Sequence, residues 1–570
     1  MRWHFEAMAA VCLAASTLSG AQAANDVVVK RFTSGQELNS VGIINASEDT
    51  EIMAPQAIYA GEKGDLFVLD QVNGRILHFD PKNADAEMRA YRLPEDLQPT
   101  DLVITHNHIV VWDGDMHVLE PSRNGSGPVR SLEQVITRGL DDETLISTFA
   151  QMGSQTPPAA DAADPHTRGI ALGKARPTTH QAISSRGEGS VDIDVIPGNE
   201  PTTVQMRVHR KGETQLLAKL TVEVQDRLGA AEFLEIDQQG RMFVLAENIP
   251  ASTKKAASSV VARYSRSGRL ETIYDLPMSQ TVARRFVAVT ADGDVYFLRT
   301  RQNEVDVLGV GSRVATKGNL IDSPRTAPPE TSGPTWKNFI AAVRPLTRER
   351  VVETATAFES VQWLVTPTAY GRDPDTACTG FNRIRRPGYL IGKLGQQVRG
   401  VPYCWGCNGS LAQIGTSIAK GAMAGNVCTH NEPRSDVVGV DCSAFVSAAW
   451  GLSQHFATIA IPSITTPVSN PWDLLPGDAL NKPGSHVMLF LRFTKDRKAE
   501  VMEASPGACN GRVCRNVYPL AALLARGFQP VRFRELANDK TASVVEPEDI
   551  KDKKPEPAHK DSAHKRRHRE

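Results

Sequence analysis

The chain has 570 residues, of which 41% are hydrophobic and 23% charged, and its formal net charge is −1. That length exceeds one ordinary core, so more than one domain is expected. The near-neutral charge argues against nucleic acid as a partner. In chain order, residues 1–23 read as a secretory signal peptide: Arg2 and His4 give a positive start, residues 7–18 are largely apolar, and Ala21-Gln22-Ala23 is a small-residue cleavage motif. The apolar stretch is too short to span a bilayer, and no later segment has a long uninterrupted apolar run, so the mature protein is expected to be exported and soluble.

Residues 26–315 read as β structure with a loose internal repeat. The clearest copies lie at 61–69, 237–245 and 291–298, each a glycine turn (Gly64, Gly240, Gly293) followed by a short apolar strand. A second strand follows in several places, as in 73–79 after the hairpin signal Asn73-Gly74. A weaker copy covers 109–112 and 116–119. This half resembles β-propellers of the NHL or quinoprotein-like kind, which implies five to seven blades and a binding or scaffolding module, with a protein partner on the propeller. His106 and His108 read as an exposed loop pair. Residues 151–200, rich in Pro, Ala, Gly, Ser and Thr, read as an irregular insertion. Residues 316–344 form the expected linker, and 540–570, rich in Lys, Glu, Pro and His, a disordered charged tail.

Eight cysteines occur. Loss of Cys12 with the signal leaves seven, all between Cys378 and Cys514. Six can make three bridges in an oxidising compartment, with one left over. Cys509 and Cys514 flank an Asn510-Gly511 turn and are expected to pair. Cys378, Cys404, Cys407 and Cys428 allow three pairings, and the sequence does not choose among them. A zinc site on Cys404 and Cys407 would need Cys428 and His430 as well, and export with no second Cys-x-x-Cys speaks against it. No metal or other cofactor is expected.

The chemistry concentrates between residues 345 and 535. A helix carrying Val351, Val352, Ala355, Phe358 and Val361 on one face opens this region. Asp441 is a good N-cap for an apolar helix that begins at Cys442 and ends near Gly451. A thiol in the first turn faces unpaired N–H groups and the positive end of the helix dipole, which favour the thiolate. His486 starts an apolar strand after the turn at Pro476-Gly477-Asp478. If the following strand pairs with it, Glu503 can hold the imidazole as the third member of a triad does.

These motifs, Tyr403-Cys404-Trp405-Gly406-Cys407, Asp441-Cys442-Ser443-Ala444-Phe445, Pro476-Gly477-Asp478 and His486-Val487, resemble in order those of the NlpC/P60 family of papain-like cysteine peptidases and amidases. The resemblance implies an α+β domain with Cys442 as nucleophile and His486 as base, with Glu503 where the family places a third polar residue. It implies a substrate or oxyanion role for Tyr403, Asp441 and Ser443, at a helix start whose backbone N–H groups face the oxyanion. The substrate class implied is the peptide stem of peptidoglycan or another envelope amide, and the compartment the bacterial periplasm. Ala444, Cys407 and an insertion at 408–438 depart from the family pattern and imply a remodelled groove. The whole is therefore expected to be a multidomain protein, an all-β propeller-like module followed by a papain-like thiol hydrolase. The rival readings are a non-catalytic envelope binding protein and a thiol acyltransferase.

Overall fold

The computed structural model describes residues 25–536 apart from 45–51, 84–86, 95–96, 105–107, 114–115, 123–126, 136–178, 278, 280–282, 302, 317, 323–345, 372–383, 429–435 and 453. The expected signal peptide, His106, the expected charged tail, Cys378, His430 and most of the expected linker lie outside the described residues. Among the described residues, no helix is long and apolar enough to cross a membrane.

Among the described residues, the N-terminal half is built mainly of five antiparallel four-stranded meanders. Four are continuous in sequence: 57–92, 101–134, 179–224 and 228–275. The fifth is Val287–Val289, Val295–Thr300 and Glu304–Gly309, completed by the N-terminal strand Val27–Ser34. Completing the last meander with the first strand is a propeller-like closure that ties the start of this half to its end. Units 57–92 and 101–134 share one eight-stranded sheet, in which Val129–Gln134 pairs in parallel with Arg89–Arg92; apolar clusters then join 57–92 to the closing sheet, the closing sheet to 228–275, and 228–275 to 179–224.

The repeats read from sequence fall on equivalent turns. Gly64, Gly240 and Gly293, with φ of +81°, +73° and +85°, each reverse the chain between the first and second strands of a meander. At Gly293 a Cβ would come within 2.5 Å of the Arg241 guanidinium, so both space and backbone demand glycine there.

One expectation is corrected. Residues 179–197, read as irregular, form the strands Thr179–Ser185 and Gly189–Pro197. Ile183, Val191, Ile193 and Val195 alternate into the core. The polar turn at Arg186-Gly187-Glu188 and its neighbours dominated the composition and masked that period-2 pattern. The earlier part of the expected insertion, 151–178, lies outside the described residues.

An ion cluster holds the closing strand. Arg31 on that strand and Arg299 each place a guanidinium nitrogen 2.8 Å from the fully buried Asp306 carboxylate, and Arg301 bonds it as well. Burial by itself would raise the Asp306 pKa, but the hydrogen bonds from Arg299, Arg301 and Arg31 outweigh it and hold the carboxyl down at about 2.

The C-terminal part is a six-stranded antiparallel sheet with few helices. Helix α1 (Arg348–Ser360) buries Val351, Ala355 and Phe358, the face expected from sequence. Helix α2 (Leu411–Ala419) opens on a Ser410–Gln413 capping box. Helix α3 is Cys442–Ala449 and α4 is Leu520–Ala525. The strands are β1 (Thr465–Pro467), β2 (Ala479–Lys482), β3 (His486–Phe493), β4 (Ala499–Ser505), β5 (Arg512–Tyr518) and β6 (Gln529–Phe533), in the spatial order β1-β6-β2-β3-β4-β5. Strand β3 is a continuous apolar run because both faces are covered. Val487 and Leu489 pack with α1 and α3, whereas Met488 and Phe490 pack with α4 and with Ile249 of the N-terminal half.

The two halves meet through that second face. Arg227 lies over the Trp472 ring at 4.4 Å, Lys498 pairs with Glu232 at 2.8 Å, and the Ala521 N–H donates to the Glu247 carboxylate at 2.9 Å. Glu247 is fully buried, and desolvation raises its pKa to about 7 despite backbone N–H bonds from Ala230, Ala521 and Ala522.

Two outcomes are expected. Replacing Asp306 by Asn leaves three partly exposed arginines facing one another and should cost roughly 1.5–3 kcal/mol in a urea titration. Because the folded state keeps a proton on Glu247 that the unfolded chain releases, its contribution to stability is lost as pH rises between about 4.5 and 7. Glu247→Gln should flatten that part of a melting-temperature profile against pH.

Candidate active site

The helix that carries Cys442 starts where the sequence places it. Asp441, in extended conformation, accepts the Ala444 N–H at 2.7 Å and caps α3. Its second oxygen accepts the Gly406 N–H at 3.1 Å. Cys442 is the first helical residue, fully buried, and among the described residues it is the one cysteine outside a disulfide. Cys404 pairs with Cys407 and Cys509 with Cys514, and Cys428 is disulfide-bonded as well. The pairing of Cys404 with Cys407 leaves no thiolate for a zinc site there. Among the described residues, no cluster of His, Cys, Asp and Glu could hold a metal ion.

Backbone bonds bring the start of α3 to the end of the sheet at which β3 begins. The Cys404 N–H donates to Val440 O at 3.0 Å, Tyr403 N–H to Gly511 O at 2.8 Å, and Gly511 N–H to Ser505 O at 3.1 Å. Ser505 ends β4, and the antiparallel register of Leu489 with Met502 sets that end beside His486. Tyr403 is therefore built into the same end, fully buried in the cluster that holds Cys442.

His486 is 3% exposed and its Nε2 lies 2.6 Å from Glu503 Oε2. Nδ1 is the ring nitrogen that this bond does not use. The other Glu503 oxygen accepts from Tyr518 Oη at 2.6 Å and from Asn516 Nδ2 at 2.9 Å. The His486 ring also meets the edge of Phe528 at 6.3 Å. The strand pairing that would bring Glu503 to His486 is thus present. Asn516 and Tyr518 had no place in the sequence reading, because they sit on a third strand with no local motif. Only the two-residue spacing on a strand beside Glu503 could have flagged them.

Ser443 is fully buried, with its hydroxyl donating to Asp441 Oδ1 at 3.0 Å and lying 2.6 Å from His455 Nε2. Both the Asp441 and Ser443 side chains are hydrogen-bonded within the protein, where they hold the helix start. His455, also 3.6 Å from Asp441, is a further member that no spacing rule pointed to.

The Pro-Gly-Asp turn is a mechanical support. Trp450, fully buried at the end of α3, donates its indole N–H to Gly477 O at 2.9 Å and stacks on Phe533 at 5.2 Å. Gly477 has φ +88°. Asp478 accepts two bonds from Arg532, at 2.9 and 2.7 Å, and one from Arg348 at 3.0 Å. The turn therefore ties α3, α1 and the central strands to one point. In the expected insertion, residues 411–419 form α2, with Ile414 and Ile418 in the core, and Met423–Ala424 pairs with Val437–Val438.

No family model matches the chain, and no curated protein is similar to it. Solved structures similar to about half of it include a streptogramin B lyase, at 10% identity over 50% of this chain and 98% of that one with a TM-score of 0.19. A luciferin-regenerating enzyme matches at 10% identity, with 50% and 98% covered and a TM-score of 0.23. The PQQ-bound aldose sugar dehydrogenase of Streptomyces coelicolor matches at 10% identity, with 47% and 98% covered and a TM-score of 0.18. Scores this low carry no functional argument, and the propeller-like architecture rests on the strand order above.

Removal of the Asp441 carboxylate in Asp441→Ala takes away the cap and the Gly406 contact together. A loss of roughly 1–2 kcal/mol is expected, with faster amide exchange confined to the first turn of α3.

Proposed function

We propose that the C-terminal domain is a thiol hydrolase of NlpC/P60-like type that cleaves amide bonds in peptide stems of the bacterial cell wall. The observation that carries this reading is the buried 2.6 Å pair of His486 with Glu503, at the end of the sheet where a non-disulfide cysteine opens a helix. In the proposed reaction His486 takes the Cys442 proton on Nδ1 and Glu503 keeps the imidazolium in place. The thiolate then attacks the amide carbonyl, and backbone N–H groups at the start of α3 and Tyr403 face the developing oxyanion. The imidazolium returns the proton to the leaving amine. Water, deprotonated by the same ring, releases the acyl group and regenerates the thiol. The NlpC/P60 motifs support the substrate class, and the disulfides support an oxidising, extracytoplasmic setting. The propeller-like half is proposed to dock a partner in the envelope.

Full burial of Cys442 favours one rival, a non-catalytic binding protein that keeps the fold, since reactive cysteines are ordinarily partly exposed. Mass analysis of peptidoglycan fragments incubated with the protein separates the two. The hydrolase reading expects new amine and carboxylate termini, lost completely in Cys442→Ala. Glu503→Gln should lower kcat by roughly 10²–10⁴ with little change in KM. Intact fragments with folded protein would remove the reading.

A further inference from the structure

Glu503 can orient His486 only if its own carboxylate is held, and one of its two supports is tied to a disulfide. Cys514 lies directly across from Glu503 in the β4–β5 register. Two residues on, Asn516 turns its Nδ2 to Glu503 Oε1 at 2.9 Å. The same nitrogen lies 3.3 Å from Cys514 Sγ, 3.5 Å from Cys509 Sγ and 3.4 Å from Ala508 O. Cys509 Sγ is itself 3.5 Å from Glu503 O. The bridge thus closes the loop between β4 and β5 around the amide of Asn516. That loop is tightly constrained at its apex, where Asn510 and Gly511 both have left-handed backbone, with φ of 52° and 81°. Gly511 also carries the backbone bonds to Ser505 and Tyr403.

We propose that the Cys509–Cys514 disulfide, acting through Asn516, is a positioning element for the His486–Glu503 pair, so that the site is competent only when this bridge is oxidised and Cys442 is a thiol. The proposal rests on the thiol-hydrolase reading and adds its regulation. A small dithiol reductant gives two electrons and two protons to the bridge. The S–S bond breaks to two thiols, and the reductant leaves as its cyclic disulfide. With the loop opened, Asn516 loses the two sulfur atoms that flank it, and Glu503 keeps only Tyr518 on Oε1. Reducing agents, which ordinarily activate cysteine hydrolases, would inactivate this one.

The test is the rate at which iodoacetamide alkylates Cys442 in the full exported chain, read by peptide mass spectrometry from about pH 5 to 9. Wild type, Cys509→Ser/Cys514→Ser and Asn516→Ala are compared, and wild type is repeated after dithiothreitol treatment. Asn516→Ala keeps the bridge and covers the case in which the double serine variant does not fold. With the bridge intact, Cys442 should react well below the pH of an ordinary thiol. Both variants and the reduced protein should lose that acid-side reactivity, by roughly 10- to 100-fold, the scale of an about 1 Å misplacement. A reactive wild type with the same profile in both variants would overturn the proposal and leave the hydrolase reading standing. An inert Cys442 in oxidised wild type would overturn both.

Discussion

A carboxylate that is 2% exposed is tolerable only when donors converge on it, and Glu503 is the point at which three do. His486, Tyr518 and Asn516 come from two different strands, so the sheet must hold β3, β4 and β5 in one register for the group to be satisfied. A shift of one residue in β4 would turn Glu503 away from all three donors. The demands of one buried charge and the pairing of three strands are therefore a single constraint. The remaining supports follow from it: α3 is anchored through Trp450 and the turn at Gly477, and the far face of the sheet is closed by the N-terminal half through Ile249 and Glu247.

The two halves use buried ionic groups in different ways. Asp306 is surrounded by guanidinium groups and stays strongly acidic. Glu247 at the contact between the halves receives mainly neutral backbone donors, and burial wins. The difference lies in the partners and in the surroundings: the arginines around Asp306 are partly exposed, whereas Glu247 is enclosed between the halves. A carboxylate ringed by cations can act as a fixed clasp, whereas one ringed by peptide N–H groups is sensitive to the proton concentration outside.

Much of the architecture was legible because it depends on local rules. Gly64, Gly240 and Gly293 mark turns because only glycine adopts those backbone angles without strain, and so the repeat could be read before any strand was seen. Asp441 and the apolar spacing after it fixed the start of α3, and the proximity of Glu503 to His486 followed from pairing two adjacent strands. What stayed hidden depends on contacts between distant segments. Asn516, Tyr518 and His455 gain their meaning from neighbours across strands and loops, with no motif of their own. The strands at 179–197 were obscured for another reason: a polar, glycine-containing hairpin turn outweighed the alternation of Ile183, Val191, Ile193 and Val195. The engagement of Ser443 with His455 likewise could not be separated in sequence from a role toward substrate.

Because Val27–Ser34 pairs with Glu304–Gly309, the closing sheet is completed by a contact across nearly the whole N-terminal half. Such a contact carries a large loop-closure entropy and forms after the local hairpins. During synthesis the first strand emerges long before its partner and must wait, with Phe32 and its neighbours uncovered, until the last meander has been made. The stretch of chain between them includes every other meander of this half, so each can fold as a local unit before the closing sheet is complete. Order of assembly is thereby written into the connectivity: local hairpins first, closure last, and the Asp306 clasp only once the two ends have met.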